Sequence, residues 1–179
     1  MRRLITEGAP RGKSHGAKFP RDPPFLNPFP RPVQVFEIPI VVRPEDIDDN
    51  DHVNNVVYLK WIFDVALAHW QVSAPAAMQA TYGWVATRHE IDYRREALLG
   101  DPIVARTWIG TVDSRKFERR TAIVRTSDNA VLARGTSYWA LITRATGRIT
   151  RIPTEMVQLF EAYMEPAPTM SNPNAAPGS

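Results

Sequence analysis

The sequence predicts an α+β fold in which a curved antiparallel sheet of five to six strands wraps around one long buried helix. Three observations lead to this prediction. Residues 56–70 (VVYLKWIFDVALAHW) are apolar on almost every side. Segments rich in Val, Ile, Thr and aromatic residues, which are typical of strands, recur from residue 84 onward. The breaks between the later segments are only a few residues long, and connections this short join antiparallel neighbours.

Prolines and charges divide the chain into a folded domain and two arms. Seven of the 16 prolines lie in residues 1–32 and four lie in residues 165–179, so we expect flexible arms at both ends and a domain over residues 33–164. The first arm carries seven Lys or Arg against two acidic residues, whereas the domain carries 15 basic and 16 acidic residues. The high pI of about 9.4 therefore comes from the arm.

Composition also restricts the classes of function. The absence of Cys excludes disulfides, zinc–thiolate sites and cysteine nucleophiles. The apolar run is shorter than the roughly 20 residues of a membrane span and carries Lys60, Asp64 and His69. We expect a cytoplasmic protein that binds neither membrane nor nucleic acid. For the basic arm, contact with nucleic acid or another anionic surface, and a role as a transit-like leader, remain open alternatives.

The first predicted elements are a strand, a polar loop and the helix. Residues 33–43 (VQVFEIPIVVR) predict a strand, and Pro39 indicates an edge or a bulge in it. Pro44 ends this strand, and the decade DIDDNDHVNN (residues 46–55) follows as a loop. A helix that is apolar all round must be enclosed, so we expect residues 56–70 to form the buried centre of the domain.

A run of strands follows the helix. After a connector at residues 73–81, with room for a short helix from Pro75, alternation predicts a strand at residues 84–95. Short polar breaks delimit three further strands, at residues 103–112, 117–126 and 131–143.

The chain is predicted to end in a short strand and a helix. The strand covers residues 149–152, and Pro153 suits the first turn of a closing helix over residues 153–164. The curved sheet leaves an open edge, which invites pairing with a second copy. We therefore expect a homodimer or a dimer of dimers, that is, a homotetramer.

The stretch RPEDIDDNDHVNNVVYLKWIFDVA (residues 43–66) combines Asp-x-Asp, His-Val-Asn-Asn and an aromatic-rich helix. It resembles the hotdog-fold thioesterases of the 4-hydroxybenzoyl-CoA thioesterase and YbgC-like group. IDYRREALLGDPIVARTW (residues 91–108) is similar to that group's strand, Gly-Asp turn and strand. The resemblance covers about residues 35–160. It implies a hotdog fold and an acyl-CoA thioesterase that needs no cofactor, with an acyl-carrier-protein thioesterase or a non-catalytic acyl-CoA-binding regulator as alternatives.

The resemblance also implies roles for residues of the loop. The resemblance implies that Asp48 is the catalytic carboxylate. It also implies that the backbone amide of Asn55 binds the carbonyl oxygen of the thioester. Free N–H groups and the positive dipole end of a helix do stabilise negative charge on such an oxygen. Asp48 would act either as a general base or as a nucleophile that forms an anhydride. Relatives often have Gly where this chain has Asp51, and Asp tolerates the left-handed conformation.

Other candidates have a structural and a functional interpretation each. His52 either takes part in the catalytic site or holds the loop. Asn54 either binds substrate or caps the helix, and Tyr58 either contacts substrate or packs in the core. Basic residues at strand ends either meet the phosphates of coenzyme A or face solvent; they are Arg94, Arg115 and Lys116.

Competing sites find little support in the sequence. Asp46, Asp48 and Asn50 imitate the start of a calcium loop, but its sixth position is Asp51 rather than Gly and its twelfth is not Glu. We expect Asp46 to bond loop amides instead. No second histidine stands at metal-ligand spacing from His52, and motifs of serine hydrolases and nucleotide hydrolases are absent. No metal is therefore predicted.

Overall fold

The computed structural model of the chain describes residues 33–166. The predicted arm at residues 1–32 and most of the predicted tail lie outside the described residues. The elements are, in chain order, β1 (Phe36–Ile40), α1 (Asn55–Ser73), α2 (Ala76–Thr81), β2 (Tyr82–Tyr93), β3 (Ile103–Val112), β4 (Phe117–Arg125), β5 (Ala130–Thr143), β6 (Arg148–Ile149) and α3 (Thr154–Gln158). No helix within this part of the chain has the length and hydropathy of a membrane span.

One antiparallel sheet has the strand order β1-β3-β4-β5-β2, with β6 paired to β5. Strands β3, β4 and β5 form a meander because tight polar turns join them. Asp113 Oδ1 accepts the backbone N–H groups of Arg115 and Lys116 at 2.8 Å each, and Asn129 takes a positive φ of 54° in the next turn. The predicted α+β hotdog architecture is confirmed.

Several predicted boundaries differ from the observed ones. Strand β1 is shorter than the predicted strand, since its register on β3 covers only Phe36–Ile40. The predicted closing helix at residues 153–164 is wrong in extent: α3 stops at Gln158 and a separate 3-10 turn follows at Glu161–Tyr163. Phe160 interrupts the helix with φ −109° and ψ 5°, a conformation that buries its ring in the core.

Helix α1 packs one side against the sheet. Its buried residues are Tyr58, Trp61, Ile62, Val65, Ala66, His69 and Trp70. Gly135 of β5 lets the helix approach closely, because a Cβ there would lie 2.7 Å from Cδ1 of Ile62.

The opposite side of α1 is open in a single chain. Val56, Phe63 and Leu67, here called the α1 stripe, are all exposed, Phe63 by 44% and Leu67 by 42%. Their spacing of seven and four residues places them on one face. The prediction that α1 is enclosed on every side is therefore wrong for the isolated chain.

The sheet has two ends, and α1 runs between them. At the loop end lie the last residues of β2 and β4, and there Tyr93 Oη donates to the carbonyl oxygen of Asn55 at 3.0 Å. At the hairpin end lies the β3–β4 turn, and there Arg119 Nη1 lies 2.9 Å from Nδ1 of His69 near the end of α1. The start of α1 therefore lies at the loop end and its last turns at the hairpin end.

Candidate active site

The decade DIDDNDHVNN folds back on itself at the loop end. Ile47 and Val53 form an isolated antiparallel bridge. The N–H of Asp48 donates to the carbonyl oxygen of His52 at 2.8 Å, which places these two residues opposite each other. Val53 is buried. Because side chains alternate along extended backbone, those of Asp48 and His52 point away from the core, on the outer face of the loop.

The tip of the loop orients the carboxylate of Asp48. Its Oδ1 accepts the N–H of Asn50 at 2.8 Å, and its carbonyl oxygen accepts the N–H of Asp51 at 3.0 Å. Asp51 has a φ of 63°, so the expected left-handed conformation at this position is confirmed. The Asp48 side chain is half-buried, and the described residues supply no hydrogen-bond partner to its Oδ2.

Helix α1 begins at the end of this loop, and its first N–H group is free. Asn54 Oδ1 accepts the N–H of Val56 at 2.9 Å, and the Asn54 carbonyl oxygen accepts that of Val57 at 2.9 Å. The interpretation of Asn54 as the N-cap is confirmed. Within residues 33–166 the N–H of Asn55 has no acceptor. This donor lies at the positive end of a 19-residue helix and is exposed.

Two other residues of this region have structural roles. Asp46 Oδ2 accepts the N–H of Arg43 at 2.9 Å, so its predicted bond to a loop amide is confirmed. Tyr58 is only 2% exposed, and its hydroxyl accepts the N–H of Ala97 at 2.9 Å and donates to the Arg95 carbonyl oxygen at 3.3 Å. Burial raises the pKa of Tyr58 to about 12. The structure thus places Tyr58 in the core, beneath the loop rather than at its surface.

The predicted basic residues do not meet at one site within a chain. Arg94 follows β2 at the loop end, where its N–H donates to the Leu132 carbonyl oxygen at 2.8 Å. Arg115 and Lys116 belong to the β3–β4 turn at the hairpin end, where Lys116 Nζ lies 4.0 Å from the centroid of the Tyr138 ring. A single chain therefore does not bring Arg115 and Lys116 to Asp48, and their role in binding substrate stays a prediction. Their position at the ends of predicted strands did not reveal which end of the sheet they occupy.

A second group of polar residues, at the hairpin end, was missed by the sequence analysis. Arg119 is 5% exposed, and its Nη1 donates to Nδ1 of His69 at 2.9 Å and to Oγ1 of Thr107 at 3.3 Å. Burial and the Arg119 charge lower the pKa of His69 to about 3, so the imidazole is neutral and accepts the bond. Alternation in β4 places Arg119 on the same face as Phe117, a signal that could have revealed a buried charge.

Arg119 lines a cavity of about 200 Å³ between α1 and the sheet. Its walls are Phe63, Ala66, Leu67, Trp70, Trp84, Phe117, Arg119, Trp139 and Arg144. Among residues 33–166, no group of His, Asp or Glu side chains is arranged to hold a metal ion.

Comparison with known proteins places this architecture among thioesterases. A chloroplastic acyl-(acyl-carrier-protein) hydrolase of Cuphea viscosissima is 30% identical over 90 residues, which are 50% of this chain and 22% of that protein. The chain spans about a fifth of the length of the curated relatives that it matches.

Solved structures share the fold at low identity. A Thermus thermophilus thioesterase in complex with coenzyme A and Zn is 22% identical, with a TM-score of 0.62 over 71% of this chain and 92% of that one. A 12:0-ACP thioesterase from Umbellularia californica is 18% identical, with a TM-score of 0.63 over 74% of this chain and 51% of that one. The family model of the thioesterase-like superfamily matches residues 42–160, which include the loop, α1 and strands β2 to β5. The chain therefore belongs to the thioesterase-like superfamily.

Proposed function

We propose that the protein is an acyl-CoA thioesterase of the 4-hydroxybenzoyl-CoA thioesterase and YbgC-like group, which hydrolyses a thioester to a free acid and coenzyme A. One observation carries this proposal. The loop that leads into α1 presents the Asp48 carboxylate with one oxygen unengaged, and the first N–H of that helix, at Asn55, is also unengaged. Membership of the thioesterase-like superfamily supports the same chemistry.

The two groups have complementary tasks in thioester hydrolysis. The Asn55 N–H donates to the carbonyl oxygen of the thioester, and the positive end of α1 stabilises the negative charge that develops there. Asp48 approaches the carbonyl carbon from the loop. It either takes a proton from the attacking water, or attacks the carbon itself to form an anhydride that water then hydrolyses. Both routes release the thiol and leave a free acid.

The neighbouring residues position these groups. The Asn50 N–H holds one Asp48 oxygen, which fixes the direction of the other. Asn54 uses its Oδ1 to cap α1, so only its amide NH₂ is available to a substrate. His52 is exposed on the outer face of the loop opposite Asp48, where it can contact the substrate.

A homodimer would complete the site for coenzyme A. Strand β2 is an edge of the sheet, and antiparallel pairing of β2 with its copy reverses the direction of the second chain. The hairpin end of one copy, with Arg115 and Lys116, then lies towards the loop end of the other, where Arg94 and Asp48 are. These cations suit the phosphates of coenzyme A. Association of two dimers is the further step that we propose for a homotetramer.

A carrier-protein thioester is the second candidate substrate, since the curated relatives are acyl-carrier-protein thioesterases by name. The chemistry at Asp48 and Asn55 would be the same. The two substrates differ in whether basic residues meet a nucleotide or an acidic protein surface.

Thiol release from a panel of short, branched, aromatic and long acyl-CoAs tests the proposal, because the chain has no Cys and adds no thiol background. Asp48→Asn should lower turnover roughly 100-fold or more, since it removes the general base or nucleophile. The matched control is Asp49→Asn, which removes the exposed neighbouring carboxylate and should retain activity. Full activity in Asp48→Asn would contradict the mechanism, and no release from any thioester would favour a non-catalytic acyl-CoA-binding regulator.

Asn55→Pro tests the backbone donor separately. Proline removes the N–H at the first helical position, where helices tolerate it best, and Asn54 already has the extended ψ of 138° that a residue before proline needs. We expect turnover to fall roughly 100-fold with little loss of stability. Asn55→Ala, which keeps the N–H, should remain active. Equal activity of the two variants would show that the amide has no role.

A further inference from the structure

Arg119 is a buried cation without an anion. Its guanidinium bonds to a neutral imidazole and a hydroxyl, and no carboxylate of residues 33–166 forms an ion pair with it. Burial lowers the pKa of Arg119 to about 9, so the group still carries its charge at neutral pH. A buried charge is costly unless it is paired, and the remaining N–H groups of Arg119 can still donate. The rings of Phe117 and Phe160, whose centroids lie 5.9 and 5.7 Å from the guanidinium carbon, offset part of this cost, and a negatively charged acceptor would offset more of it.

A second residue of the cavity wall has an unused donor. Trp139 contributes to this wall, and the buried Nε1 of Trp139 has no hydrogen-bond partner among the described residues. Arg144, which is exposed, stands at the cavity and is held by bonds from its Nε to the carbonyl oxygens of Gln79 and Tyr82. The rest of the wall is aromatic or aliphatic. A ligand that fits this cavity combines an apolar body with a compact anionic group.

The α1 stripe leads from the candidate active site to this cavity. Val56 follows Asn55 directly, whereas Phe63 and Leu67 are themselves part of the cavity wall. At 1.5 Å per residue, the cavity walls on α1 begin about 12 Å from Asn55 and end about 22 Å from it. An extended acyl chain whose carbonyl lies at Asn55 can therefore follow the stripe to Arg119.

We propose that this cavity is a subsite for a carboxylate at the far end of the acyl group, so that the preferred substrate is a thioester whose apolar chain ends in a carboxylate. The identity of that chain as an acyl group rests on the proposed thioesterase function. A carboxylate suits the site because a guanidinium and an indole N–H can donate to its two oxygens together. A methyl-ended chain would fill the same apolar space but offer no acceptor to the guanidinium or to the indole N–H.

Binding of free acids tests the subsite without any catalysis. Trp70, Trp84 and Trp139 line the cavity, so their fluorescence reports its occupancy. Decanoate should bind roughly tenfold or more tightly than decanol, and Arg119→Met should abolish that preference. Arg148→Met, which removes an exposed cation outside the cavity, should keep it. Equal binding of acid and alcohol, or an acid preference that survives in Arg119→Met, would overturn the proposal.

Three further measurements keep this test decisive. Methionine often replaces a buried charged residue without loss of stability, and thermal unfolding of Arg119→Met checks this. If that variant does not fold, Trp139→Phe keeps the ring and removes only the donor, and it should weaken decanoate binding several-fold. Coenzyme A alone is the remaining probe. If it, and not decanoate, occupies the cavity in a manner that depends on Arg119, the carboxylate assignment is wrong.

Hydrolysis rates test the link to the acyl group. Among acyl-CoAs of about eight to fourteen carbons, those that end in a carboxylate should have a kcat/KM roughly tenfold above the methyl-ended chains of equal length, and Arg119→Met should reverse this order. Equal rates would overturn the assignment of the cavity to the acyl chain. Acid binding that depends on Arg119, together with no thiol release from any substrate, would support the subsite and reject the thioesterase function.

Discussion

His69 is a base that the fold keeps unprotonated. It is fully buried, its ring stacks on Phe36 at 4.6 Å, and its Nδ1 accepts from Arg119. A proton on His69 would place two cations side by side in the core. The burial of His69 and the charge of Arg119 therefore both lower its pKa, to about 3 from the 6.5 of the unfolded chain.

Because of His69, the free energy of unfolding should decrease as the pH is lowered. Between pH 6.5 and 3, His69 binds a proton in the unfolded chain but not in the folded chain. Its contribution to stability is therefore fully present above about pH 6.5 and is lost as the pH falls. The expected loss from pH 6.5 to 5 is roughly 2 kcal/mol. Urea unfolding across this range measures it. His69→Gln keeps an acceptor for Arg119 but does not titrate, so its stability should vary much less.

His52→Gln is the matched control for this pH dependence, since His52 is exposed. The stability of His52→Gln should depend on pH as strongly as that of the original protein. If the stability of His69→Gln depends on pH as strongly as that of the original protein, other groups cause the loss of stability at low pH.

At the scale of elements, α1 and β5 are fitted to each other at Gly135. The Cβ of an alanine there would meet Cδ1 of Ile62 at 2.7 Å, and Ile62 is itself 1% exposed within the core. Gly135→Ala should therefore lower the free energy of unfolding by about 1–3 kcal/mol, as overpacking does. Chemical denaturation measures the loss.

Gly83→Ala in β2 is the comparison for that experiment. Its Cβ would come no closer than 3.4 Å to a neighbouring atom, which is Cγ1 of Ile142. It should be neutral or slightly stabilising, since Ala restricts the unfolded chain more than Gly does. Equal losses in both variants would mean that glycine flexibility, not the approach of α1, determines the effect at Gly135.

The sequence predicts elements best where local chemistry defines their ends. Strands β3, β4 and β5 begin and end within one residue of their predicted bounds, because polar turns delimit them. The loop and the cap at Asn54 were predictable for the same reason. The pairing of His69 with Arg119 was not, because 50 residues separate them and only the packing of α1 on β4 brings them together. Which end of the sheet holds Lys116 likewise depends on strand order.

At the scale of the whole molecule, the proposed homodimer rests on the exposed α1 stripe and on the edge strand β2. Phe63 and Leu67 are partly exposed in the isolated chain, and Val85 on β2 is 45% exposed. An apolar stripe beside an edge strand that no other strand of residues 33–166 covers is a surface suited to association. The chain has a mass of 20.2 kDa, so light scattering should give about twice that mass for a homodimer, or four times for a dimer of dimers.

Val85→Lys should shift the protein towards the monomer, because a charged side chain on an edge strand opposes pairing. Val41→Lys is the control. Val41 is 77% exposed and lies outside the strands, so this substitution should leave the mass of the oligomer in solution unchanged. A monomeric original protein would contradict the proposed dimer. A dimer that persists in Val85→Lys would place its interface elsewhere than β2.

The strand order also determines what a nascent chain exposes on the ribosome. β1 and β2 are the two edges of the sheet, yet both are made before β3 and β5, with which they pair. Helix α1 therefore leaves the exit tunnel with Trp61, Ile62 and Trp70 uncovered, and the meander that shields them is translated later. Folding of this protein must wait for the last strands of the meander, and until then chaperones have an apolar helix to bind.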